Sequence, residues 1–260
     1  MKPRFCVVNK EISNLKITKE EVINEIISLG YELDDKNPEI VITLGGDGTF
    51  LKAFHQYNKQ KPLFVGINEG NLGFLCEFSI NELNEVYEIL KKHDFSLIKE
   101  INLLKLEGLK ETYFALNEFR IESNNGGALA FDVKIDNVYF EKLKADGVCF
   151  STALGSTGIN KNINGAVVVP TLNVYQMSEK TPINNKHYSS LKSSLILTKD
   201  NVVSLNNFSN DSFVIYFDNC FINVSNFLDV LTISLSNEKI SILKNRNSNY
   251  LAKLSDSFIK

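Results

Sequence analysis

Cysteine and histidine are scarce in this sequence, and neither is clustered. Cys6, Cys76, Cys149 and Cys220 stand far apart with no C-x-x-C pair, and His55, His93 and His187 are scattered. Zinc-ligand spacing is therefore excluded, and nothing suggests a disulfide framework. The expectation is buried, reduced thiols in a cytosolic protein. An excess of positive charge is missing too. The formal net charge is −3 over 260 residues, which argues against a general nucleic-acid binder but leaves room for a local basic pocket. No run comes near the roughly 20 apolar residues needed to cross a bilayer. The opening M-K-P-R-F-C-V-V-N-K holds too short an apolar stretch for a signal peptide. The reading is a soluble, cytoplasmic protein that binds neither nucleic acid nor membrane. Repeats, coiled coils and low-complexity tails are also absent. What is present is apolar residues, 43% of the chain, enough for one large or two modest domains without covalent staples.

The first hundred residues alternate strand and helix. Phe5 to Val8 is a short apolar run. Thr18-Lys19-Glu20-Glu21 has the pattern of a capping box opening a helix. Val22, Ile23, Ile26 and Ile27 would form its apolar face, and Gly30 suits its C-terminal cap. Glu39 to Leu44 and Leu63 to Ile67 read as strands, with Phe50, Leu51, Phe54 and Tyr57 at helical spacing between them. Ser79-Ile80-Asn81-Glu82 is a second capping box, leading to Leu83, Val86, Tyr87 and Leu90. Strands buried on both faces and joined by helices imply a parallel sheet with right-handed crossovers.

After about residue 100 the texture changes. Asn117 to Glu122, Ala130 to Ile135, Val138 to Leu143, Val148 to Ser151, Leu195 to Thr198, Phe213 to Phe217 and Val230 to Leu235 are short β-type runs between polar turns, suggesting an antiparallel β domain. Ile135-Asp136-Asn137-Val138 reads as a tight hairpin. The Asn/Ser-rich stretches near 206–212 and 245–249 read as surface loops.

Between the strand ending at Leu44 and the helix opening near Phe50 stands Gly45-Gly46-Asp47-Gly48-Thr49. Glycines at the carboxyl end of a strand permit positive φ and let backbone amides approach an anion, and the helix N-terminus adds partial positive charge. Gly45, Gly46, Gly48 and Thr49 are thus candidate phosphate-binding residues. The loop is neither a Walker loop, since no Gly-Lys-Ser/Thr follows, nor G-x-G-x-x-G. Its carboxylate would repel a bare phosphate. It becomes useful opposite a hydroxyl about to receive a phosphoryl group, or opposite a magnesium ion. Taken alone, Asp47-Gly48 reads equally well as a plain turn.

Further along come Lys144-Ala145-Asp146-Gly147, the apolar V-C-F, then Ser151-Thr152-Ala153-Leu154-Gly155-Ser156-Thr157-Gly158-Ile159-Asn160. With Asn117-Glu118 and the loop Asn68-Glu69-Gly70-Asn71-Leu72-Gly73-Phe74-Leu75, these motifs span 45 to 160, and the chain there resembles the NAD kinases. In that family A-D-G, a short strand and S-T-P-x-G-S-T-A-Y follow in the same order, alongside N-x-G-x-L-G-F-L and Asn-Glu. Weaker similarity continues to about residue 185. By their chemistry Asn117 and Glu118 suit an adenine amine and ribose hydroxyls, or else merely end a strand. Asp146-Gly147 suits a further amine or hydroxyl, or is only a hairpin turn. Ser156 is a poor hydrolase nucleophile, lacking G-x-S-x-G and a histidine partner.

The resemblance implies an N-terminal Rossmann-like α/β domain, residues 1–100 plus about 236–260, and a C-terminal antiparallel β domain, 101–235, carrying most NAD-binding residues. It implies transfer of the terminal phosphate of ATP, or of polyphosphate in some members, to the 2′-hydroxyl of the adenosine ribose of NAD, giving NADP. Asp47 would be the catalytic base. Gly48, Phe74, Asn117, Glu118 and Asp146 would touch NAD, and Thr157, Gly158, Ile159, Asn160 and Asn162 would wall the adenine region. Lys144, Leu154, Thr181 and Asn219 follow from continuing the alignment. Mg²⁺ or another divalent cation would accompany ATP, no residue is assigned as a metal ligand, and the assembly would be a homodimer or homotetramer. Ala153, Gly158, Ile159, Asn162 and Asn164 depart from the family pattern. Ile159 replaces a tyrosine, and losing that ring would weaken NAD binding by about 1 kcal/mol. Two other readings stay open: a lipid kinase sharing the glycine loop, and a non-catalytic NAD-binding sensor.

Overall fold

The computed structural model describes residues 2–10, 17–70 and 73–260; Asn71 and Leu72 of the N-x-G-x-L-G-F-L resemblance lie outside them. The chain forms two compact units, one from Met1–Ile101 with Lys239–Lys260, the other from Asn102–Glu238. Among the described residues no helix is long and apolar enough to cross a membrane.

The first unit opens with β1 (Arg4–Asn9), α1 (Lys19–Ser28), β2 (Glu32–Leu33), β3 (Ile40–Leu44), α2 (Asp47–Tyr57), β4 (Leu63–Asn68), β5 (Phe78–Ser79) and α3 (Leu83–Lys92). β4, β3, β1 and β2 lie side by side, parallel throughout. All five residues of β3 are buried, which is why its sequence is a continuous apolar run rather than an alternation. The capping box at Thr18 forms, with Glu21 N donating to Thr18 Oγ1 at 3.2 Å and Thr18 N to Glu21 Oε2 at 2.7 Å. Gly30 follows the helix with φ +96°. Val22 and Ile26 are buried against the sheet, but Ile27 is 45% exposed, because the hundred-degree step from Ile26 carries it off the buried stripe. The second capping box also forms, yet it opens a single 3₁₀ turn, Ile80–Glu82, and α3 starts only after it. Phe5, Ile42, Leu44, Val65 and Ile67 from the strands meet Val22, Ile26, Val86 and Leu90 from the helices in one core.

The second unit contains β6 (Ile98–Glu107, which begins in the first), β7 (Tyr113–Ala115), β8 (Glu118–Ser123), β9 (Leu129–Ile135), β10 (Val138–Ala145), β11 (Gly147–Thr152), the one-turn α4 (Ile159–Asn162), β12 (Val174–Lys180), β13 (Leu195–Thr198), β14 (Val202–Asn206), β15 (Phe213–Phe217) and β16 (Cys220–Val224). β17 (Leu231–Leu243) starts there and ends in the first unit, followed by α5 (Tyr250–Phe258). One antiparallel sheet runs β13-β12-β11-β8-β15-β16. A second group pairs β10, β9, β14 and the start of β17, again antiparallel. Phe119, Ile121, Phe131, Phe150, Tyr175 and Phe213 anchor the core between them. The hairpin at 135–138 has Asp136 and Asn137 at φ +51° and +65° with Val138 opposite Ile135, a primed turn that matches strand twist.

β14 ends at Asn206, where the loop begins. Some sequence expectations are corrected. Asn245 is buried and donates to Glu82 Oε1 at 2.9 Å, so the 245–249 stretch is not wholly surface. Cys6, Cys76 and Cys149 are buried free thiols, whereas Cys220 is only half-buried. Ser241 and Ile242 pair in parallel with Leu63 and Phe64 of β4.

Candidate active site

In the first unit, β3 delivers Gly45 and Gly46, and Asp47 is the first residue of α2. Gly45 has φ +146°, and a Cβ there would stand 2.4 Å from Thr49 Oγ1, so any side chain is excluded twice. Thr49 accordingly packs its hydroxyl beneath Gly45 as a brace. Gly46 caps α2 without a side-chain bond; Thr49 N donates to Gly46 O at 2.9 Å and Gly45 N to Ile67 O at 3.0 Å, so the Asp47 and Gly48 amides are the ones left for an anion. The positions a side chain would fill at Gly46 and Gly48 are open.

The Asp47 carboxylate is aimed by a neighbouring backbone segment. Phe74 N donates to Oδ2 at 2.9 Å, and Leu75 N and Cys76 N donate to Oδ1 at 3.0 and 3.4 Å. A Cβ on Gly73 would lie 2.2 Å from Oδ1, so the segment closes on the carboxylate only because residue 73 is glycine. A carboxylate offers about four lone-pair directions, and these bonds leave Oδ2 the freer oxygen. Phe74 follows Gly73 in this segment and is half-buried. Its ring stacks on Phe258 (5.8 Å between centroids, 15° between planes) and meets Tyr250 edge-on at 5.8 Å, so it packs on α5.

In the second unit, Asn117 and Glu118 begin β8. Asp218, in the β15–β16 turn, accepts from Leu116 N at 2.9 Å, Asn117 N at 2.7 Å and Glu118 N at 3.3 Å. Asn117 O accepts from Thr152 N at 2.9 Å, and Thr152 Oγ1 bonds both Leu116 O and Gly155 N. So fixed, the Asn117 side chain keeps a buried Oδ1 with no hydrogen-bond partner. Glu118 is 7% exposed. Burial, then the nearby charge of Asp218, push its carboxyl up to about 7, with Arg120 opposing. Glu118 Oε2 lies 3.8 Å from where a Gly158 side chain would begin, which brings the 117–118 and 154–158 motifs together. Leu154 is buried in the 3₁₀ turn Leu154–Thr157, and Asn219 is exposed beside Asp218.

Gly155 is the tightest point. A Cβ there would sit 2.3 Å from Asn117 O, closer than any real contact, and the obstacle is backbone. Gly155→Ala is expected to destabilise the protein by about 2–4 kcal/mol and to weaken NAD binding more than Gly46→Ala, where space is open; melting curves and NAD titrations compare them.

Of the adenine-wall candidates, Thr157 is half-buried, and Gly158, Ile159 and Asn162 are exposed. Asn160 is fully buried, donating to Ser156 O and Ala166 O and accepting from Ser178 Oγ at 2.8 Å. Its amide is spent inside the protein. Asn162 and Thr181 line a cavity of about 470 Å³ with Lys180, Lys192 and Ser194, and Thr181 takes φ +53°. Asp146 is exposed at the β10–β11 turn, its amide donating to Lys180 O at 3.0 Å. The Lys144 ammonium lies 5.1 Å from the Tyr188 ring centroid. Ser156 is buried and bonded to Ala153 O and Val168 N, which suits no nucleophile. Asp218 and Thr152 were missed in the sequence: one acts across about a hundred residues, and the other looks like an ordinary strand residue.

An α/β unit with an acid-bearing glycine loop and an antiparallel β unit define the fold class, and two solved structures share it. A yeast NADH kinase crystallised with NADH superposes with a TM-score of 0.84 at 17% identity, covering 100% of this chain and 89% of that one. An NAD kinase from Archaeoglobus fulgidus in complex with ATP gives 0.78 at 20% identity, covering 96% and 98%. Residues 7–95 match the family model described as the ATP-NAD kinase N-terminal domain. NAD kinase of Staphylococcus epidermidis is 34% identical over 98% of this chain and 97% of its own length. NAD kinase 1 of Listeria monocytogenes is 37% identical over 99% of both. The chain belongs to the NAD kinase family.

Proposed function

We propose that this protein transfers the terminal phosphate of ATP to the 2′-hydroxyl of the adenosine ribose of NAD, giving NADP. The observation that carries the reading is the near-full-length relationship to bacterial NAD kinases in a chain that keeps Asp47 at the glycine loop. In this reading the Asp47 carboxylate receives the hydroxyl proton as that oxygen attacks the terminal phosphorus; the bond to the bridging oxygen breaks and ADP leaves. The first-turn amides of Asp47 and Gly48 lie against the phosphates. Asn117 Oδ1, buried without a partner, accepts from an amine or hydroxyl of NAD, and Glu118 and Asp146 accept further donors. Mg²⁺ or another divalent cation arrives with ATP as substrate. Among the described residues no three His, Cys, Asp or Glu side chains group so as to hold a metal. Polyphosphate as an alternative donor, assembly as a homodimer or homotetramer and a cytoplasmic location belong to the same reading, and rest on the resemblance to the family.

The test is purified protein with NAD, ATP and Mg²⁺, with polyphosphate and a lipid acceptor in parallel arms. NADP formation is expected. NAD binding without phosphate transfer would turn the reading toward a sensor, and phosphorylation of the lipid alone toward a lipid kinase. Ile159, 36% exposed at the start of α4, supplies a second measurement. Ile159→Tyr restores a stacking ring and is expected to tighten NAD binding about fivefold, roughly 1 kcal/mol, read as a lower KM for NAD at unchanged kcat.

A further inference from the structure

Lys253 lies in the middle of α5 yet is only 5% exposed, an uncommon place for an ammonium group. Its Nζ donates to Cys76 O at 3.0 Å and lies 3.6 Å from Glu77 Oε1. Glu77 is itself buried, and Lys244 pairs with the same oxygen. Cys76 is one of the three residues whose amides hold Asp47. Its flanking peptides are therefore gripped from both sides, the N–H by the Asp47 carboxylate and the C=O by the Lys253 ammonium. Phe74, at the start of the same short segment, packs on Tyr250 and Phe258 near the two ends of α5.

A plain ion pair with Glu77 does not account for this arrangement. Glu77 already has Lys244, and the nearest partner of Lys253 is the carbonyl rather than the carboxylate. A buried pair is also weak evidence for stability, since desolvation offsets most of the attraction. A cation so placed fixes the segment that presents the three amides.

We infer that Lys253 is a positioning residue for phosphate transfer: by holding the Cys76 carbonyl it sets the Phe74–Cys76 amides that aim the Asp47 carboxylate. The inference rests on the reading of Asp47 as proton acceptor. It makes α5, far from the glycine loop in sequence, a support of the reacting geometry. A displacement of about 1 Å at such a group is enough to cost on the order of a hundredfold in rate.

The experiment compares Lys253→Met, Lys253→Arg and the double variant Lys253→Met/Glu77→Gln, with Asp47→Ala in parallel. Lys253→Met is expected to lower kcat for NADP formation by about 10- to 100-fold while KM for NAD stays within about twofold. Lys253→Arg keeps a charged donor, and a cavity of about 670 Å³ lined by Glu77, Asn245 and Lys253 gives the larger group room, so most of kcat returns. The double variant relieves the buried carboxylate and recovers the melting temperature, but kcat stays low. Should Lys253→Met fail to fold, the double variant carries the kcat measurement. Wild-type kcat in the folded Met or double variant overturns the inference, as does a kcat that recovers in step with melting temperature. Full turnover in Asp47→Ala would instead remove the reading of Asp47 itself; an inactive Asp47→Ala beside a fully active Lys253→Met removes only the role of Lys253.

Discussion

Asp47→Ala is expected to cut NADP formation by about 10²- to 10⁴-fold, the range for loss of a positioned general base, while NAD affinity changes little. The two effects separate because the candidate NAD-gripping residues Asn117, Glu118 and Asp146 belong to a different unit of the chain. The variant also leaves the Phe74, Leu75 and Cys76 amides without their acceptor, so a lower melting temperature should accompany the loss. Asp47→Asn refines the test. Its carbonyl oxygen can keep the Leu75 and Cys76 bonds, but its NH₂ then faces the Phe74 N–H, donor against donor, at about 1–3 kcal/mol. A variant that binds NAD, folds and retains more than about a tenth of the turnover would mean that another group takes the proton.

The second large effect concerns Glu118. Its carboxyl is pushed up to about 7, chiefly by burial, against about 4.3 in an unfolded chain. Between those values the unfolded chain releases the proton while the folded state keeps it. Stability therefore falls as pH rises through the window from about 4.5 to 7, by up to roughly 3 kcal/mol, and is level above it. Glu118→Gln removes the liability. The variant should melt up to roughly 5–10 °C higher than wild type at pH 8, with little difference near pH 4.5. Equal shifts at both pH values would contradict the burial effect. Binding should move the other way. A ligand amine or hydroxyl donating to Glu118 favours its charged form, so wild-type NAD affinity should rise from pH 5.5 to 8, and Glu118→Gln should lose that dependence.

The glycine loop and its flanking elements were legible in the sequence because each is a local signal: a doubly buried strand is a continuous apolar run, and Gly45 is dictated by its own φ. The hairpin at Asp136–Asn137 and both capping boxes are equally local. β12 was not legible. Its sequence V-Y-Q-M-S-E-K alternates Tyr175 and Met177, which enter the core, with Gln176 and Ser178, which are equally buried but bond Ala166 and Asn160; two apolar residues are too short a pattern to mark a strand. The setting of Asn160 was not legible either: its amide is held by Ser156, Ala166 and Ser178, partners that no local pattern announces. Asp218 organises Asn117 and Glu118 from about a hundred residues away, and Phe74 turns to α5 from still further. These are consequences of tertiary packing, which local pattern does not encode.

The two-part first unit also orders events during synthesis. Residues up to Ile101 leave the ribosome early, but the edge of β4 that receives Ser241 and Ile242 stays open while the whole second unit is made. At about 5–20 residues per second that interval lasts roughly 7 to 27 seconds, with a bare strand edge exposed to any neighbouring nascent chain. A chaperone bound at Leu63–Phe64, or a translation rate that shortens the wait, would bear directly on yield.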